Sequence, residues 1–262
     1  MADVHATAIV DPKARLGADV KIGPYCVIGP DVTLGEGSVL HAHVVIDGRT
    51  SIGPRARIHP FASLGQPPQD LKYRGEPSTL EIGADVLIRE YVTANTGTEG
   101  VGMVTSIGNN CTLLSSAHVG HDCRIGNDVI ISSATLLAGH CQVADFVIFG
   151  GGAAVHQFVR IGRNAFVGGA SAVESDIIPF GLVVGNRANL MGLNLVGLKR
   201  HGFTRERINA MRDAYGRIFS ADGTMRDRVA DVAERFAGNA DVMEIVTFIQ
   251  SASDRPLCLP SR

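Results

Sequence analysis

Four histidines and an aspartate are spaced so that a repeating fold would gather them. The run SSAHVGHDCRIG holds His118, His121 and Asp122, LAGHCQV holds His140, and AVHQF holds His156 and Gln157. A neutral imidazole accepts a proton near pH 7, which is what a hydroxyl needs as it attacks an acyl carbonyl. Histidines on one column could instead ligate a metal, but no carboxylate arrives with zinc-ligand spacing and successive positions should alternate in direction. They could also serve only as hydrogen bonds between neighbouring segments. No G-x-S-x-G elbow is present, and no Cys–His pair stands apart from packing. A direct transfer without a covalent enzyme intermediate, and without a metal or other cofactor, is the simplest chemistry these residues offer.

The elements that must position them are written in a period of six. From Ile107 an aliphatic or aromatic residue recurs at Leu113, Val119, Ile125, Ile131, Leu137, Val143, Phe149, Val155, Ile161, Val167 and Val173. The same phase runs from Val10 to Leu64 and resumes at Ile82 and Ile88. Six fits neither an α-helix nor a two-sided strand; it fits a prism whose coils take about 18 residues each. Glycine often follows the aliphatic residue, where it lets the chain turn without a Cβ clash. Stacked coils of this kind make a parallel β-helix, so the chain is mainly β. One coil on from His121 lies Gly139, beside His140, and a further coil on lies Gln157, beside His156. These positions climb one region of the prism at about 4.8 Å per coil.

Composition fits that reading. Aromatic residues are only 5% of 262 and Trp is absent, as a narrow prism requires. A formal charge of -2 argues against wholesale nucleic-acid binding. No apolar run is long enough to span a membrane, and MADVHATAIV lacks the basic start of a signal peptide. Cys26, Cys111, Cys123 and Cys141 occupy the small-residue slot of the repeat and should be buried and free. Reduced cysteines suit the cytoplasm.

Two stretches break the period: QPPQDLKYRGEPS at 66–78 and NTGTEGVGMVTS at 95–106. Insertions on a solenoid tend to collect at a functional face, which draws attention to Asp70, Lys72 and Tyr73. The β-helix is expected over 1–186 and a small α-helical C-terminal domain over 187–262. There the period changes to 3.6: Asn189 could cap a short helix through Val196, Thr204 and Thr224 could cap two longer ones, and 241–251 reads as another. This domain would cover the last coil, whose open edge would otherwise pair with another chain. Lys199, Arg200, Arg205, Arg207 and Arg212 form a local basic cluster.

The stretches IGPYCVIGP, HVVIDGRTSIG, QDLKYRGEP, EIGADVLIREYVT, AHVGHDC, ATLLAGH, AVHQF and GLKRHGF, in this order, resemble the UDP-N-acetylglucosamine O-acyltransferases. The resemblance implies a left-handed β-helix, an exception to the usual right-handed crossover. It implies a homotrimer with active sites between subunits. The reaction it implies carries an R-3-hydroxyacyl group from acyl carrier protein to the 3-hydroxyl of UDP-N-acetylglucosamine, the first step of lipid A synthesis. By that resemblance His121 matches the general base, Asp122 its supporting acid, and Gly139 the backbone N–H that polarises the thioester carbonyl. Side chains diverge along a strand, so Asp122 is not required to touch its own His121. Asp70 and Lys72 match sugar-contacting residues. His118, His140, His156 and Gln157 match groups lining the cleft, and Asn194 and Arg200 match nucleotide-binding positions. Gly169 matches an acyl-chain ruler, open here to a long chain. The chain departs from the family pattern at Asn95, Val196 and His201, where a histidine, a glutamate and an arginine are expected.

Other readings carry distinct signatures. The sister N-acyltransferase has a domain before its repeats, whereas this chain enters them by Val10. Serine and sugar-phosphate acetyltransferases lack the QDLKY loop. An inert scaffold or ice-binding β-helix would show outward Thr ladders and no histidine column. A 3-amino sugar acceptor, giving an amide, would keep the same enzyme architecture.

Overall fold

An inward residue at every sixth position demands three flat faces per turn, and the chain supplies them. The computed structural model describes residues 2–100 and 102–261. Face A begins with Asp3–Val4, face B with Ile9–Val10 and face C with Arg15–Leu16. They carry eleven, nine and eight strands among the described residues. Every strand pairing among the described residues is parallel except the last on face A, and the register is the expected one: His118 lies beside Leu136, and Leu136 beside Ala154. The register widens only where the chain makes its excursions, so that Arg57 pairs with Leu87 and Leu87 with Thr112. The second excursion is shorter than the sequence implies. It leaves at Asn95 and is over by Val104, because Val104–Ile107 is a face C strand paired with Thr79–Ile82.

All the inward residues from Ile107 to Val173 are buried, Phe149 among the largest. Val10 and Leu16 are only half-buried, because among the described residues they belong to the outermost coil. The thiols in the small-residue slot are buried and free, and each is aimed at a carbonyl one coil away: Cys26 at His41, Cys111 at Gly126, Cys123 at Ala138 and Cys141 at His156.

Glycine after the inward residue has a different cause from a turn conformation. A Cβ on Gly108 would stand 2.5 Å from the Gly126 carbonyl oxygen, and one on Gly120 would stand 2.8 Å from that of Leu137. Close approach of successive coils demands these glycines. The left-handed backbone falls two residues later, on residues with side chains: Asp122 has φ 58°, His140 63° and Phe158 67°. Such conformations cost energy for L-residues, and here they recur at corners all along the prism.

The C-terminal part differs from expectation at its start. Asn189–Leu193 is a strand, antiparallel to Gly181–Val184, and the two close face A as a hairpin. The first helix, α1 (Leu195–Arg200), is capped by Asn194 and not by Asn189. Asn189 cannot act as that cap because its backbone is committed to the hairpin. Helices α2 (Arg205–Ile218) and α3 (Met225–Arg235) start after Thr204 and Thr224 as the sequence implies, and α4 (Ala240–Gln250) follows. Arg163 anchors α4 to the prism through Glu244 at 2.6 Å. The tail then returns across the last coil, where Leu257 bridges to Asp176. No helix among the described residues is long and apolar enough to cross a membrane.

Candidate active site

The corner between faces B and C gathers most of the residues in question. Both excursions leave from it, after Ser63–Gln66 and Thr93–Asn95. His121 follows His118–Val119 there, Gly139 and His140 follow Leu136–Leu137, and His156 and Gln157 follow Ala154–Val155.

His121 and Asp122 touch, which the strand argument did not require: Nδ1 of the ring lies 2.9 Å from Oδ2 of the carboxylate. The pair sits on a turn, not on a strand. The left-handed conformation of Asp122 swings its side chain back beside that of its neighbour. The carboxylate is fully shielded from solvent and the imidazole nearly so. Thr98, from the second excursion, donates its N–H to both carboxylate oxygens at 3.0 Å and its hydroxyl to Oδ2 at 2.6 Å. The Thr105 hydroxyl accepts the Asp122 N–H at 2.8 Å. Burial pushes the Asp122 carboxyl up, but the bonds from His121 and Thr98 outweigh it and hold it below its ordinary value. The ionised carboxylate thus fixes a proton on Nδ1 and leaves the lone pair of Nε2 for a substrate.

Beneath the ring lies Gly139. A Cβ there would stand 2.5 Å from the His121 ring, so only glycine lets the imidazole rest against the next coil. The Gly139 carbonyl accepts from Phe158, while its N–H is paired with no described residue. His140 meets His121 edge-on at 4.9 Å and stacks on Phe158 at 4.4 Å. His118 bonds Thr93 through Nδ1 at 2.7 Å. Burial pulls His118 and His140 below the ordinary histidine value, with the His121 charge adding to the effect at both and Asp122 opposing it at His140. Both rings are therefore held neutral.

Donor atoms of His121, Asp122 and His140 lie within 4.8 Å of one another, so the column does not alternate as expected. A cation would nevertheless find Oδ2 of Asp122 already accepting from Thr98 and His121. The hydrogen-bonded pair is the better fit to this geometry.

The remaining positions are spread more widely. Asp70 accepts the Lys72 N–H at 2.8 Å within its own loop, and its charge acts on His140. Lys72 is exposed. Asn95 donates to the carbonyls of Gln66 and Pro67, tying the first excursion to the second. Asn194 is buried: its oxygen caps α1 and its amide donates to the Asn164 carbonyl. His201 also bonds Asn164, Val196 is exposed, and Arg200 is exposed in the last turn of α1. These residues sit beside the corner between faces C and A, and Gly169 sits on the corner between faces A and B. Within one chain neither group reaches His121.

Thr98, Thr105 and Phe158 escaped sequence reasoning, as did Arg255, which bonds the His156–Gln157 turn from the C-terminal tail. The NTGTEG composition marks an excursion but does not say which threonine turns inward. A groove of about 1000 Å³ lies elsewhere, between face C and α4. Its Arg160 and Arg163 are already paired with Asp176 and Glu244. The histidine corner is a ridge of the prism.

The chain is similar along its length to known proteins. A family model described as UDP-N-acetylglucosamine O-acyltransferase, domain 2, matches residues 176–258, and a bacterial transferase hexapeptide model matches 13–48 and 105–139. A protein of Azorhizobium caulinodans named acyl-(acyl-carrier-protein)–UDP-N-acetylglucosamine O-acyltransferase is 52% identical over 261 residues, covering 97% of this chain and 96% of its own. One of the same name from Rickettsia canadensis is 54% identical over 257 residues, covering 98% and 97%. The crystal structure of a UDP-N-acetylglucosamine acyltransferase superposes with a TM-score of 0.95 at 41% identity, covering 99% of this chain and all of that one. That from Campylobacter jejuni gives 0.93 at 33% identity, covering 99% and 100%. At 52–54% identity over 97–98% of its length, the chain belongs to the UDP-N-acetylglucosamine O-acyltransferase family.

Proposed function

We propose that the protein transfers an R-3-hydroxyacyl group from acyl carrier protein to the 3-hydroxyl of UDP-N-acetylglucosamine, opening lipid A synthesis. The observation that carries the mechanism is the buried His121–Asp122 pair resting on Gly139. His121 Nε2 takes the proton of the sugar 3-hydroxyl as its oxygen attacks the thioester carbon. The oxyanion that forms faces the Gly139 N–H, a donor whose position costs no reorganisation. The C–S bond then breaks, the electron pair leaves with the carrier sulfur, and the proton held by His121 passes to that thiolate. The ester product and free carrier thiol balance the reaction. Asp122 stays ionised and steadies the imidazolium. The histidine column and the 66–78 loop hold the sugar, with Asp70 and Lys72 at its rim.

A ridge needs a second wall, and a homotrimer provides it. Large exposed apolar residues follow faces A and B and their shared corner, as Ile9, Tyr25, Phe61, Tyr91 and Leu136 do. Tyr25, His43, Phe61 and Tyr91 stack there at 5.0 to 5.1 Å. Outward positions of face C are polar instead, as at Ser51, Glu81 and Gln142. If a second copy packs against face B, its Arg200 and Gly169 are free to complete a cleft that this chain's own His121 cannot share with them, while its buried Asn194 serves by capping α1, the helix that carries Arg200. Higher on the A–B corner the rings give way to Ser116, Ala134, Gly152 and Ala170, which leaves room for an acyl chain beside Gly169. The carrier docks on Lys199, Arg205 and Arg212, which line one groove with Phe203 and Ile208. Arg207 is withdrawn from that cluster, because Asp241 binds its guanidinium at 2.8 Å.

His121→Ala should leave the oligomer folded and lower turnover by at least about 10²-fold, the usual scale of general-base catalysis. Mixing its unfolded chains with those of Arg200→Ala and refolding them together should restore part of the activity, since some clefts then hold both native residues. Turnover near wild type in His121→Ala, or no restoration on mixing, would count against the base and the shared cleft respectively.

Thr98→Val keeps the shape and removes the hydroxyl donor to Asp122. A depressed carboxyl stabilises the fold above its unfolded pKa and loses that contribution as pH falls through its folded one. Losing the donor raises the folded value, so acid unfolding and the acid limb of activity should both move to higher pH. Profiles that superimpose on wild type would remove Thr98 from the site.

Gly169→Met should favour shorter acyl donors in a graded way, at about 1–3 kcal/mol per methylene. Its φ lies outside the left-handed region, although the new Cβ would stand 3.2 Å from the Gly151 carbonyl. An unchanged profile across a ladder of 3-hydroxyacyl carrier proteins would defeat the ruler assignment.

The rate of carrier association should fall steeply with salt, and Lys199→Ala with Arg205→Ala should flatten that dependence. Salt-insensitive association would remove the docking surface.

A further inference from the structure

The C-terminal tail delivers an arginine to the histidine corner. Asp176, 1% exposed, is the knot that holds it. Its N–H donates to the Pro256 carbonyl at 2.8 Å, and its carbonyl accepts from Cys258 at 2.8 Å. Its carboxylate takes the Ser253 hydroxyl at 2.6 Å, together with the N–H and Nε of Arg160 at 2.8 and 2.7 Å. Arg255 donates its own N–H to Ser253 Oγ at 3.1 Å. The tail is thus fixed to the last coil, directly above the coil that carries His156 and Gln157.

From there the Arg255 side chain grips the turn below with two donors. Nε donates to the Gln157 carbonyl at 2.8 Å, and a terminal nitrogen donates to His156 Nδ1. A guanidinium has only donors and keeps its proton in proteins. The Nδ1 it faces must therefore offer a lone pair, and the neutral ring carries its proton on Nε2. The Gln157 carbonyl also lies 3.3 Å from Nδ1, a longer contact that would need the proton on that nitrogen and that the Arg255 donor at Nδ1 displaces. His121 has the same tautomer question with the opposite answer. A carboxylate holds its Nδ1 proton and leaves Nε2 as an acceptor, whereas at His156 a cation leaves Nε2 as a donor.

We infer that Arg255 is a positioning residue, which locks the 156–157 turn and fixes His156 as an Nε2–H donor to an oxygen of the sugar nucleotide. It rests on the acyltransferase reading for its kinetic consequence only; the tautomer is a property of the free protein. The C-terminal tail is then part of the acceptor site and not merely a cover for the last coil.

The test uses the intact oligomer with 15N-labelled histidine at about pH 8, where an ordinary imidazole is neutral. Wild type should show His156 with Nδ1 unprotonated and Nε2 protonated, and Arg255→Ala should show a mixture of tautomers. In kinetics, Arg255→Ala should raise KM for UDP-N-acetylglucosamine about tenfold, the scale of the one hydrogen bond to the sugar nucleotide that the loosened turn no longer places. In a His156→Ala background the same change should have less than about a twofold effect, because the two act as one unit. An unchanged tautomer in Arg255→Ala, or losses that simply multiply in the double variant, would overturn the inference. A wild-type protein that shows the tautomer but transfers no acyl group would leave Arg255 in place and defeat the acyltransferase reading.

Discussion

The backbone ladder between successive coils is the constraint on which everything else depends. Each parallel pairing fixes a residue beside the one a coil later, and no side chain can slip without flipping the whole inward set outward. Ile131 over Leu113, and Phe149 over Ile131, show how apolar stacking and backbone pairing enforce the same register. That register brings His121 over Gly139 and His140 over Asp122. A column of side chains far apart in sequence becomes a rigid shelf whose spacing is that of β-strands.

The corners convert this shelf into a site. Along a strand, neighbours point to opposite sides, and a histidine and aspartate in sequence would part. On the B–C corner the left-handed backbone at Asp122 and His140 gathers them, and Thr98 from an inserted loop holds the carboxylate ionised. The same corner sends out both excursions, because a loop can leave a prism there without breaking a face. Chemistry thus collects where the repeat is least regular, while the faces stay uniform.

The prism was almost wholly legible in the sequence, since a period of six maintained over so many residues admits few folds. Coil addition also placed His121, Gly139, His140 and Gln157 on one region, because the repeat length is a ruler. Three things were not legible, each for a physical reason. The contact of Asp122 with His121 depends on a backbone conformation that an aspartate does not announce. Thr98 and Arg255 reach the corner by tertiary contacts across 24 and 98 or 99 positions, beyond any local pattern. Asn189 looked like a helix cap because Asn favours caps, yet pairing with Val184 claimed it for a strand and left the cap to Asn194.

The most direct measurement is a crystal structure of the protein with the 3-O-acylated sugar nucleotide bound. The sugar 3-oxygen is expected about 2.6–3.2 Å from His121 Nε2, hydrogen-bonding distance for a general base. The ester carbonyl oxygen is expected about 2.7–3.1 Å from the Gly139 nitrogen, as for an oxyanion donor. A product seated with its ester away from both groups would contradict the claim that the coil register builds the catalytic centre.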